Sequence, residues 1–102
     1  MDQIKNKILF QKQKGLSSIE ITNSLDTDVC VQILDFIEKE YNAKISTRED
    51  SNDNCLRLDI EIDKKLLSYY RDDLMDDAIY AKSSEANDLV QKIGKDLENF
   101  LR

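Results

Sequence analysis

The segment CLRLDIEID, residues 55–63, has an aliphatic side chain at every second position (Leu56, Leu58, Ile60, Ile62) and a charged one between each pair (Arg57, Asp59, Glu61, then Asp63). Strand side chains point alternately to opposite faces, so this pattern specifies a β-strand with one face on a core and the other in water. It puts Asp59, Glu61 and Asp63 in a line on the wet face.

The rest of the chain supplies partners for that strand. Residues 16–23 (LSSIEITN) alternate around Ile19 and Ile21, and shorter strands are expected over 44–49, 66–71 and 78–82. Residues 1–14 fit either a short helix ended by Gly15 or a strand, because short segments are not decided by periodicity. The apolar positions Val29, Ile33, Ile37 and Tyr41, at four-residue steps, predict a helix over roughly 28–41, opened by Asp26 or Thr27 and closed at Asn42. A second helix is predicted over 85–101, opened by Ser83 or Ser84, with Ala86, Leu89, Val90, Ile93, Leu97 and Leu101 on its buried face. Gly94 on that face costs ~1 kcal/mol in helix propensity, which suggests a close approach of helix to sheet. The connections between several strands are too short for crossovers, so those pairs are expected to be antiparallel. The expectation is a single α+β domain, 1–102: a two-layer sandwich with an antiparallel sheet of four or five strands and two amphipathic helices on one face. Nothing in 102 residues remains to cover the other face, and an antiparallel sheet tolerates water there.

Charge narrows the function. The net charge is −6, and residues 49–77 hold ten acidic side chains against four basic ones, a difference equal to the charge of the whole chain. Residues 1–25 run the other way, with four lysines against Asp2 and Glu20. Nucleic acid as a direct ligand and an anionic membrane surface are both disfavoured by repulsion. No apolar run approaches the ~20 residues of a membrane span, and MDQIKNKILFQKQKG is not a secretory signal, so a cytoplasmic protein is expected. Histidine is absent, which removes His-based triads, Cys–His dyads and the commonest general base. Cys30 and Cys55 fit no metal motif and are expected to be buried thiols. Asp59, Glu61, Asp63 and Lys65 share a face, but the surface repels the polyanion a nuclease must attract, and Glu61 is followed two places on by Asp63 rather than lysine. DSNDN lacks the glycine and distal glutamate of a calcium loop. No catalytic residue, metal or cofactor is expected.

A protein-binding face remains. Side chains two apart on a strand repeat at ~6.5–7 Å, comparable to successive phosphates on a nucleic-acid strand, so a carboxylate ladder suits a cleft built for a phosphate backbone. Tyr69 and Tyr70 point to opposite faces, so one of them joins the acids, as in a binding hot spot. The expected partner-binding set is Asp59, Glu61, Asp63, Tyr69, Tyr70 and the aspartates Asp72, Asp73, Asp76 and Asp77, which are read as hydrated loop residues.

In size, acidity, α+β character and lack of catalytic groups, the chain resembles the small acidic immunity proteins that bacteria keep against nuclease toxins, including those of contact-dependent inhibition systems. The resemblance is one of character and not of motif. It implies tight binding of one cognate basic toxin domain, with the acids supplying complementarity and fast association. The alternatives are a nucleic-acid mimic that blocks a host defence protein, or another non-catalytic interaction domain.

Overall fold

The computed structural model describes residues 7–22, 27–52, 55–72 and 76–101. Among them the chain runs β1 (Ile8–Gln13), β2 (Leu16–Ile21), α1 (Thr27–Tyr41), β3 (Lys44–Thr47), β4 (Cys55–Ile62), β5 (Lys65–Asp72), β6 (Asp77–Ala81), a 3₁₀ turn (Ser84–Ala86) and α2 (Asn87–Phe100). The expected α+β class with two helices holds, but the described residues form six strands rather than four or five. They make one antiparallel sheet in the order β1-β2-β6-β5-β4-β3.

The extra strand comes from the segment that periodicity left undecided. Residues 8–13 form β1, and Gly15 closes a hairpin rather than a helix. Lys14 (φ 53°) and Gly15 (φ 81°) are the two central residues of that turn, and Asp63 (φ 51°) and Lys64 (φ 66°) fill the same place between β4 and β5. Two successive positive φ values give the turn whose twist matches a right-twisted hairpin. Strands β3 to β6 form a meander that starts at the far edge and returns to pair β6 with β2, so the connection carrying α1 spans the sheet.

Register separates the two faces. Ile19 and Ile21 of β2, Ile79 and Ala81 of β6, Leu67 and Tyr69 of β5, and Leu58, Ile60 and Ile62 of β4 point to one side and are buried. Cys30, Ile33 and Ile37 of α1 and Val90, Ile93 and Leu97 of α2 join them in a single core. The helices also meet each other: Phe36 stacks on Phe100 at 4.5 Å, and the Tyr41 hydroxyl donates to Asp96. A Cβ at Gly94 would lie 2.6 Å from the Phe10 ring and 3.0 Å from Ile19, so the glycine permits the close approach its position suggested.

The helix starts differ from expectation. Ser83 and Ser84 make no capping bond to α2, which follows the 3₁₀ turn and begins at Asn87. Asp26 and the side chain of Thr27, the expected opening of α1, lie outside the described residues. Asn87 binds the β1–β2 hairpin instead: its Oδ1 accepts from the Ser17 amide at 2.8 Å and its Nδ2 donates to the Gly15 carbonyl at 2.7 Å. Asn87→Ala should therefore cost ~1–3 kcal/mol, the range for two lost side-chain-to-backbone bonds. Urea unfolding checks this, and an unchanged midpoint would show the clamp to be incidental.

Candidate functional site: the open sheet face

The face away from the helices is built by the other parity of each strand. Pairing sets Asp59 opposite Ser68 and Ser46, Ser68 opposite Tyr80, and Tyr80 opposite Ser18; one step along, Arg57 is opposite Tyr70, Tyr70 opposite Ala78, and Ala78 opposite Glu20. Tyr70 and Tyr80 thus stand near the middle of the face, on adjacent strands, flanked by small residues. A hollow of ≈ 410 Å³ beside Tyr80 is lined by Leu16, Ser18 and Ala78 among others. No second layer lies over this face among the described residues.

The expected line of three carboxylates is shorter than its sequence suggests. Asp59 and Glu61 lie on β4, but Asp63 begins the turn and leaves the strand. Asp59 is paired: Lys82 Nζ is 3.2 Å away and Arg48 Nε 4.0 Å. Arg48 and Arg57 both bind Asp50, at 3.1 and 2.9 Å, so charges alternate along Arg57, Asp50, Arg48, Asp59 and Lys82. The cations were legible as residues but not as neighbours. Lys82 reaches Asp59 only because β4, β5 and β6 are side by side in register. Glu61, exposed and opposite Lys44 and Leu66, and Asp63 make no ion pair among the described residues.

The tyrosine alternative is resolved by burial. Tyr70 is on the open face; Tyr69 faces the helices and is fully buried, so it is a core residue and not part of this surface. The Tyr70 hydroxyl donates to Asp72 at 2.8 Å, and the Arg57 guanidinium sits over its ring at 5.3 Å. Its pKa is pushed up to about 12 by hydrogen bonding with Cys55 and Asp72. Tyr80 was missed, although the alternation of Ala78, Tyr80 and Lys82 already placed it on this side.

The aspartates do not form one hydrated loop. Asp72 ends β5 on the open face opposite Cys55, Asp76 is half-buried just before β6, and Asp73 lies outside the described residues. Asp77 departs furthest from expectation. It is the first residue of β6, points to the helices, and has no exposed side-chain area. There it accepts from the Tyr69 hydroxyl and pairs with Arg71 at 3.0 Å, beside the Cys30 thiol. The same parity that sends Tyr69 inward sends Arg71 and Asp77 inward with it.

The two thiols also differ. Cys30 is buried, and burial pushes its pKa up. Cys55 is half-exposed; Arg57 Nε donates to its sulfur at 3.3 Å, and this bond, with one from Tyr70, lowers its pKa. The thiolate is the reactive form. Ellman's reagent should therefore label Cys55 in the folded protein quickly and Cys30 only on unfolding. Equal rates, read by mass spectrometry, would contradict this assignment.

Among the described residues no three histidine, cysteine or acidic side chains converge on a point that could hold a metal ion. No described helix is long and apolar enough to cross a membrane. The chain matches no family model, no curated protein and no solved structure.

Proposed function

We propose that this chain is a non-catalytic inhibitor of the immunity-protein kind, which neutralises a basic nuclease toxin in the cytoplasm by covering it with the open sheet face. The observation that carries the reading is that face: six strands wide, uncovered among the described residues, with Tyr70 and Tyr80 central and Glu61 and Asp63 at one end. Tyrosine offers a large contact area on a rigid sheet, as hot spots require. The carboxylates would speed association with a basic partner, and the alternating network around Asp59 would fix orientation more than affinity. Cations interleaved with the acids at Arg48, Arg57 and Lys82 suit a protein partner better than imitation of a uniform phosphate backbone.

The direct test is the protein encoded by the adjacent upstream reading frame, where a toxin gene would stand. Its toxin domain should form a stoichiometric complex with this chain, and cells making both should survive where cells making the toxin alone do not. Failure of both binding and protection would overturn the assignment.

A further inference from the structure

The two edges of the sheet are unequal. β3 has four residues, whereas β1 has six and exposes Leu9 (44%) on one face and Phe10 (45%) on the other. The Thr22 amide donates to the Lys7 carbonyl at 2.9 Å and the Lys7 amide to Thr22 Oγ1, so residue 7 faces β2. By alternation, the amides and carbonyls of Leu9, Gln11 and Gln13 face β2 as well. Those of Ile8, Phe10 and Lys12 point away from the sheet and have no partner strand among the described residues. Such an edge is a template for another strand.

We propose that the occupant is a second copy of this chain, with β1 pairing antiparallel to itself about a two-fold axis at Phe10 to give a continuous twelve-strand sheet. Four observations select this partner and register. First, pairing Ile8 with Lys12 and Phe10 with Phe10 uses all three outward residues in each copy, whereas a shift of the axis to Leu9 or Gln11 sets one of them opposite a position outside β1. Second, Phe10 meets Phe10 on the helix side and covers ring area that is 45% exposed in the single chain, beyond the edge packed against Gly94. Third, no lysine opposes a lysine, since Lys12 faces Ile8 and Lys7 faces Gln13, whereas an axis at Lys12 would oppose the two Lys12 side chains. Fourth, α2 runs from Asn87, at the hairpin turn, past Gly94, over Phe10 and Ile19, while Lys92 and Asp96 turn toward Tyr41 of α1. Helical spacing then puts the exposed Glu98 one turn beyond Gly94 on the flank away from α1, toward Ile8. In the paired sheet that is where the other copy's Lys12 arrives, giving two symmetric opposite-charge contacts. The open faces of the two copies remain on the same side of the joined sheet, so the dimer does not depend on the toxin-binding reading.

Sedimentation equilibrium of the full chain tests this across micromolar to millimolar concentrations. The wild type should approach twice the chain mass. Lys12→Pro removes an amide that bonds nothing within the monomer, so it should stay monomeric with an unchanged circular dichroism spectrum. Lys12→Glu should weaken association tenfold or more, and adding Glu98→Lys should restore it. A wild type that remains a single chain throughout overturns the proposal and leaves the edge to a different strand. Dimerisation of Lys12→Pro at wild-type strength, or failure of the charge exchange to restore association, overturns the register and with it the proposal.

Discussion

Asp77→Ala is expected to destabilise the fold by ~3–5 kcal/mol, the range for removing one partner of a buried ion pair. The substitution strips the Tyr69 hydroxyl of its acceptor in a fully buried position and takes the Asp77 carboxylate from the guanidinium of Arg71, which is only 17% exposed. Asp77→Asn should cost much less, because an amide oxygen still accepts from Tyr69. The same pair of variants has a pH signature. Burial raises the Asp77 carboxyl above its usual value, against the lowering pull of Tyr69 and Arg71. A carboxyl whose folded value is raised supplies stability that is fully present below the unfolded value of ~3.9 and is lost as pH rises through the folded one. Wild type should therefore lose stability relative to Asp77→Asn as pH climbs upward from about 4. Urea unfolding of the two proteins across that range measures the difference. A flat difference, or one of opposite slope, would mean that the pull of Tyr69 and Arg71 on the Asp77 carboxyl outweighs its burial.

The helices and the central strands were legible because their periods are long and clean: the four-residue steps from Val29 to Tyr41, and the alternation of residues 55–63. What escaped the sequence was decided by pairing. β1 is undecidable alone, since Ile4, Ile8 and Leu9 suit a helix as readily as Ile4, Ile8 and Phe10 suit a strand. It becomes a strand because the Lys14–Gly15 turn returns β2 alongside it. The line of carboxylates ended at Glu61 because Asp63 sits at positive φ in a two-residue turn that lets the next strand begin at Lys65. The neutralising cations reach Asp59 from the residue after β6 and from the residue after β3, 23 and 11 positions away in the chain, which no local pattern reveals. Asp77 looked like loop composition but is a strand residue, and its burial is affordable only because Arg71 and Tyr69, both on β5, point the same way.

The binding reading makes its largest demand on Tyr70 and Glu61. Asp59→Lys would be a poor probe, because it adds a third cation beside Lys82 and Arg48 and would disturb the surface itself. Glu61→Lys touches no ion pair among the described residues, and Tyr70→Ala removes a half-exposed ring while leaving the core face of β5 intact. Both should unfold close to wild type. Against the partner, loss of a central aromatic anchor typically costs ~2 kcal/mol or more, and a reversed charge at a desolvated position costs ~2–5 kcal/mol. Glu61→Lys at a wetter position would instead slow association and flatten its salt dependence.

The decisive measurement is the dissociation constant of the proposed partner, a toxin domain sought in the upstream reading frame, for wild type, Tyr70→Ala and Glu61→Lys, by titration calorimetry at low and at high salt. Binding through the open face predicts a loss of ~30-fold or more for Tyr70→Ala at both salts, and a loss for Glu61→Lys that is greatest at low salt. Wild-type affinity for both variants at both salts would contradict it, leaving the open face a solubilising surface.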